Sequence, residues 1–170
     1  NASIMIEAGT GIGKTLGYLL PAIKWSMENS GTVVVSTKTK MLQNQVLEND
    51  LPKAKRLLNI KDYKAVKVQG RNNYLCIRKM DRFFTGVDLT DSFETKFSKL
   101  FFFAIDRLSD VADFTRIPSW IMRSFPHVYR MLGVLCADSS SCLQAKCYYY
   151  KECHYFNMTK EAKKSKLLVA

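Results

Sequence analysis

The stretch EAGTGIGKT, Glu7–Thr15, carries the first chemistry legible in the chain. Its core is A-x-x-x-x-G-K-T, a phosphate-binding loop with Ala8 where the strict pattern has its first glycine. Gly9, Gly11 and Gly13 permit backbone turns closed to other residues. Successive N–H groups from Ala8 through Thr10 and Ile12 to Gly13 can then point at a nucleoside triphosphate. Lys14 would reach the β- and γ-phosphates and the Thr15 hydroxyl would ligate Mg²⁺, so these two are the expected catalytic residues for chemistry on ATP.

A second set of reactive side chains is the five cysteines. Cys142, Cys147 and Cys153 form C-x4-C-x5-C, with Cys76 far upstream. Structural zinc usually grips through tight C-x2-4-C hairpins, whereas looser and irregular spacing suits an iron–sulfur cube, whose ligands surround a larger object. Spacing alone leaves three readings open: an iron–sulfur cluster, zinc, or buried unligated thiols. Cys136, inside the apolar run MLGVLC, reads as a packed core thiol.

The elements that must position these groups follow from periodicity. SIMI, ahead of the loop, reads as a short buried strand, and Leu16, Leu19, Leu20, Ile23 and Met27 recur at helical spacing until NSG stops the helix. Pro21 is expected to kink that helix without breaking it. TVVVST (Thr32–Thr37) is a β-branched run suited to a parallel sheet, and KAVKV (Lys64–Val68) is a further strand candidate. Between them Met41, Leu42, Val46 and Leu47 suggest a helical stripe, with Pro52 ending it or starting the next helix. Alternating strands and helices predict half of an α/β nucleotide-binding sheet.

After Cys76 the pattern becomes mostly helical, as expected of an insertion. Phe93, Phe97, Leu100, Phe101, Ala104, Ile105 and Leu108 fall on one helical face, and Asp91 with Glu94 makes a capping box. Shorter helical pieces follow in SWIMRSF and HVYRMLGVL, and SKLLVA reads as a closing strand.

Hydrophobic content of 47% and charged content of 24% are those of a globular protein. No apolar run is long enough to span a bilayer and no signal peptide is evident, so a soluble cytoplasmic protein without a membrane partner is the expectation. The net charge of +11 favours a polyanionic partner. Lys53, Lys55, Arg56, Lys61, Lys64, Lys67, Arg71, Arg78, Lys79 and Arg82 crowd one segment, and Lys160, Lys163, Lys164 and Lys166 crowd the end. No acidic residue presents itself to complete the Mg²⁺ site, and both ends look abrupt, as in a piece of a larger protein.

EAGTGIGKTLGYLLPAI, VVVSTKTKMLQNQ, GRNNYLC and C-x4-C-x5-C, in that order, resemble the iron–sulfur superfamily 2 DNA helicases of the XPD and DinG group. The EAGTG wording is similar to bacterial DinG-like members. The resemblance implies a partial RecA-like P-loop sheet with an inserted, mostly helical iron–sulfur domain. It divides the chain into part of the first motor domain (1–70), the iron–sulfur domain (71–160) and a return strand (161–170). It implies an ATP- and Mg²⁺-dependent helicase that moves 5′ to 3′ on single-stranded DNA and unwinds forked DNA in repair; its oligomeric state is open, a monomer being favoured. Cys76, Cys142, Cys147 and Cys153 would ligate a [4Fe–4S] cluster. Thr37, Thr39 and Gln43 in the second motif, with Arg71 and Tyr74, would contact DNA, and Tyr148, Tyr149 and Tyr150 would stack on bases or pack around the cluster. Two other readings remain at this stage: a catalytically inactive nucleic-acid-binding module, and a small P-loop NTPase with a zinc-bound insertion.

Overall fold

The computed structural model describes residues 3–9, 11–85, 92–107 and 112–170. The chain forms two compact units, Asn1–Val68 with Glu161–Ala170, and Gln69–Lys160.

In the first unit α1 (Lys14–Glu28) runs unbroken through Pro21 and ends at Asn29. Its buried side chains are Leu19, Ile23 and Ser26. The expected stripe placed Met27 there instead, but positions i, i+4 and i+7 continue from Leu19 through Ile23 to Ser26, and Met27 swings out to solvent. Ser26 is accommodated by hydrogen bonding to the Tyr63 hydroxyl at 2.6 Å and to the Ile23 carbonyl at 2.8 Å. Gly31 follows the turn because the Trp25 ring lies where its Cβ would be, 2.7 Å away.

β1 (Val33–Val35), β2 (Ala65–Lys67) and β3 (Leu167–Val169) make a parallel sheet in the order β1-β3-β2. Register pairs Val34 and Val66 with Leu168, from either side. The last strand in sequence is therefore the central one. Leu167 and Val169 are fully buried, each contributing about 1.5–3 kcal/mol of apolar burial. The expected strand at SIMI does not form. Met5 is 98% exposed and Ile4 and Ile6 are little less so, because a strand needs a ladder partner and Ser3–Ile6 find none among the described residues.

α2 (Lys40–Gln45) continues through a π-helical turn, Val46–Asp50, into α3 (Leu51–Leu57). The wider turn shifts the ladder, with Leu51 N–H bonding Val46 O, just where Pro52 lacks a donor. The shift also sets the buried face: Gln43, Val46, Asp50, Leu51 and Ala54 turn inward. Met41 and Leu42, expected in the apolar stripe, are exposed.

The second unit is helical: α4 (Ile77–Phe84), α5 (Phe93–Arg107), α6 (Ser119–Ser124), α7 (Pro126–Leu135) and α8 (His154–Lys164), the last residues of α8 belonging to the first unit. Phe102, fully buried, centres its core, with Phe84 and Phe101 rings at 6.4 and 5.4 Å. Asp91 of the expected capping box and Leu108 lie outside the described residues. The described start of α5 is held by Ser92, whose Oγ accepts from Thr95 N–H at 3.3 Å. Phe93 and Leu100, expected on the buried face, are exposed. Consecutive phenylalanines 101–103 spread the apolar arc by 100° per residue, wider than the neighbouring helices cover. An extended strip at Tyr74–Cys76 is flanked on both sides, with Leu75 N–H on Ala112 O at 3.0 Å and Cys76 N–H on Leu135 O at 2.8 Å.

Candidate nucleotide pocket and cysteine cavity

In the first unit a cavity of about 800 Å³ is lined by Ala8, Ile12, Gly13, Lys14 and Thr15 from the loop and start of α1, and by Ser36, Thr37 and Lys38 after β1. Leu42, Gln45 and Val46 close one side. Gly11 and Gly13 both adopt φ of 81°, a conformation other residues rarely take. Gly13 is the N-cap of α1 without a side-chain cap, and the first turn holds no acidic residue. The opening N–H groups of that helix have no intrahelical acceptor and form a positive, anion-binding end. Lys14 extends beside them, its Nζ donating to the Ala8 carbonyl at 2.9 Å. The lining bears Lys14 and Lys38 and no carboxylate. Thr10 lies outside the described residues.

Thr37 and Thr39 shape the turn after β1. Thr37 Oγ1 donates to Thr39 O at 3.2 Å, and Thr39 Oγ1 caps α2 by accepting from Leu42 N–H at 3.2 Å. Gln43 and Tyr74, both expected to touch DNA, are buried at 7% and 6% exposure. Tyr74 packs edge-on to Tyr155 at 5.9 Å, and burial pushes its hydroxyl pKa well above the ordinary tyrosine value. Sequence periodicity shows neither, because both positions are polar or amphipathic, and Tyr74 is covered from the distant Tyr155.

In the second unit Cys76, Cys142, Cys147 and Cys153 line one narrow cavity of about 30 Å³, together with Arg71, Arg78, Tyr150, Tyr155 and Phe156. All five cysteines are free and half-buried. Cys136 does not line the cavity; its Sγ meets the Gly133 carbonyl at 3.3 Å, so it is neither in the core nor with the other four. Burial pushes the Cys153 thiol pKa up, against N–H groups of Phe156 and Tyr155 that favour the thiolate. Cys142 Sγ accepts from Gln144 N–H at 3.4 Å. Among the described residues no group of three or more His, Cys, Asp and Glu side chains is placed to hold a metal ion.

Protein contacts brace the cavity. Asp138 accepts from Ser140 Oγ at 2.7 Å, Ser141 N–H at 2.7 Å and Ser141 Oγ at 2.6 Å, and pairs with Lys79 at 2.5 Å. Lys79 first, then the serine donors, hold its carboxyl far below the usual carboxylate range. Arg78 donates to the Ser141 carbonyl at 2.6 Å, so α4, which follows Cys76, clamps the loop that leads into Cys142. Sequence reasoning missed Asp138. The signal available was the D-S-S-S run, a local side-chain-to-backbone turn motif. Asp138→Ala should raise amide hydrogen exchange at Ser141 severalfold, because the charge-assisted bond to its N–H is lost; unchanged protection by mass spectrometry would make the clamp dispensable.

Arg71 stacks over Tyr155 at 4.5 Å and lines the cavity, so it stands in the cysteine site rather than on an open basic face. The tyrosine run divides: Tyr148 is 90% exposed, Tyr149 hydrogen-bonds Asp81, and Tyr150 packs on Phe156 at 4.8 Å. Much of the basic run is likewise engaged, with Lys67 on Asn44, Arg78 on Ser141, Lys79 on Asp138 and Lys160 over Tyr150. No helix among the described residues is long and apolar enough to cross a membrane.

A DEAD/DEAH box helicase family model matches residues 1–122. The chain is 31% identical over 98% of its length to the ATP-dependent DNA helicase DinG of Escherichia coli K12, covering 24% of that protein. Identity is 30% to DinG of Salmonella typhimurium LT2, with the same coverage. To the ATP-dependent DNA helicase YoaA of Haemophilus influenzae it is 32% over 99% of the chain, again covering 24% of the relative. The chain thus spans about a quarter of the length of the curated relatives it matches.

Proposed function

The chain belongs to the DEAD/DEAH box helicase family, and on that premise we propose that it is part of a DinG-like, ATP-dependent DNA helicase that moves 5′ to 3′ on single-stranded DNA and opens forked duplexes. The observation that carries this reading is the 800 Å³ cavity, in which the glycine turns, Lys14, Thr15 and the uncapped start of α1 meet the segment after β1. Gly9, Gly11 and Gly13 shape the loop around the triphosphate, Lys14 bears on its terminal phosphates, and Thr15 supplies an oxygen for Mg²⁺. The carboxylate that completes the Mg²⁺ site would come from outside these residues. Thr37, Thr39, Gln43, Arg71 and Tyr74 are the proposed DNA contacts. Domains divide as 1–70, 71–160 and 161–170, the protein works in the cytoplasm as a monomer, and DNA repair is its setting.

Cys76, Cys142, Cys147 and Cys153 would hold a [4Fe–4S] cluster, which would supply a rigid cross-link between segments far apart in sequence. What supports this is the shared cavity and the donor set. A single zinc ion draws its thiolates to about 2.3 Å from one point, whereas a cube takes one thiolate at each of four separate corners. Four cysteines lining one cavity would provide a donor set of the second kind. Arg71 and Arg78 line the same cavity, and would place positive charge near thiolates ligated there.

Single-stranded DNA should raise the rate of ATP hydrolysis by the full-length protein. DNA affinity should fall linearly with salt on logarithmic axes, with a slope of roughly −0.7 per phosphate neutralised. Hydrolysis indifferent to DNA would remove the coupling, and affinity indifferent to salt would reduce the basic excess to a solvated face.

A further inference from the structure

We propose that the first unit carries a docking groove for an acidic peptide with apolar side chains, separate from the nucleotide cavity. The groove encloses about 600 Å³ along α3 and the turn after it. Its floor is aliphatic, Leu47, Leu51, Pro52 and Ile60, and its rim is basic, Lys55, Arg56 and Lys61.

The groove is built rather than accidental. Leu58 ends α3, Asn59 takes a left-handed φ of 54°, and the chain folds back so that Ile60 N–H bonds Lys55 O at 2.9 Å and Asn59 N–H bonds Arg56 O at 3.1 Å. These two bonds are the Schellman pattern, and they bring Ile60 and Lys61 against the helix. The cap satisfies the terminal carbonyls from the backbone, so the Lys55 and Arg56 side chains are not consumed in capping. The Lys24–Glu28 and Glu161–Lys164 pairs of this unit involve none of the three rim cations. The rim also begins nine residues beyond Val46, the last helix residue of the nucleotide cavity, roughly 13 Å along the axis.

Charge and lining together select the occupant. Three cations around an apolar floor complement carboxylates flanking aliphatic or aromatic side chains, the recognition mode of acidic motifs. A nucleic acid would satisfy the rim but not the floor, because no aromatic side chain lines the groove to stack on bases.

The test is fluorescence anisotropy on the full-length protein with a labelled ten-residue peptide alternating Asp with Leu or Ile. Saturable binding is expected, weakened about tenfold or more by Arg56→Glu with Lys61→Glu, both exposed positions, with an unchanged thermal melt. A second peptide with every Leu and Ile replaced by Ser should bind at least about tenfold more weakly to the unaltered protein. Equal binding of the two peptides would overturn the proposal in favour of plain charge attraction. Displacement of the first peptide by oligothymidine in the unaltered protein, with oligothymidine binding itself reduced in the double variant, would make the groove a nucleic-acid surface instead. Absence of saturable peptide binding would also overturn it.

Discussion

Lys14→Ala should reduce ATP hydrolysis by the full-length protein on the order of a thousandfold or more, about 4 kcal/mol of lost transition-state stabilisation. The reason is positional. Lys14 is the side-chain cation at the mouth of α1, and its Nζ already lies over the loop, 2.9 Å from the Ala8 carbonyl. The helix end still offers its N–H groups after the substitution, so nucleotide binding should suffer less than turnover. Strand separation should vanish with hydrolysis, since nothing else drives it. Single-stranded DNA binding should stay within about twofold, because a solvent-exposed residue of the nucleotide cavity is replaced. Steady-state phosphate release and DNA titration on one preparation check the pair. Equal loss of hydrolysis and DNA binding would point to misfolding, and retained hydrolysis would remove the nucleotide site from this loop.

The cysteine series should have an equally large effect. Cys76→Ser, Cys142→Ser, Cys147→Ser and Cys153→Ser should each abolish bound iron and the broad visible absorbance near ~400 nm after anaerobic purification. Cys136→Ser should keep both, because Cys136 stands apart from the cavity the other four share. Loss of the cluster should loosen the second unit unevenly. The Tyr74–Cys76 strip is held by backbone bonds from two sides, and Asp138 fastens the loop before Cys142. Between Cys142 and Cys153 the chain has a three-residue 3₁₀ turn, Gln144–Lys146, and a hydrogen-bonded turn over 148–152 but no longer helix, so hydrogen exchange should rise most there. Iron retained in Cys142→Ser or lost in Cys136→Ser would overturn the ligand assignment. Stoichiometric zinc without iron would end the iron–sulfur reading.

The glycine turns and the helix after them were legible in the sequence because everything they need is contiguous: three glycines, Lys14, Thr15 and the apolar positions of α1. The three strands that form were legible for a similar reason, since Val33–Val35, Ala65–Lys67 and Leu167–Val169 are short β-branched or aliphatic runs. The order and spacing of Cys76, Cys142, Cys147 and Cys153 singled them out as a set, although the spacing by itself left their ligand open.

Only the tertiary structure decided which neighbours those pieces have. That β3 enters between β1 and β2 is a pairing across about a hundred residues, and no local pattern encodes it. The strand expected at SIMI failed by the same logic, because apolar character supplies a face to bury but not a ladder to join. Met27, Met41, Leu42, Phe93 and Leu100 all sit in apolar patterns yet lie exposed, while Ser26, Gln43 and Tyr74 are covered. Periodicity measures the direction of an apolar arc, whereas burial is settled by where the opposing element lands and by turns such as the π segment that rotate the arc. The basic run is the clearest case. Counting charges gave two basic crowds and favoured a polyanionic partner, but Arg71, Arg78 and Lys79 are drawn into the cysteine site, while Lys55, Arg56 and Lys61 are gathered around a groove. A charge has a sign in the sequence and acquires a partner only when the fold brings one within reach.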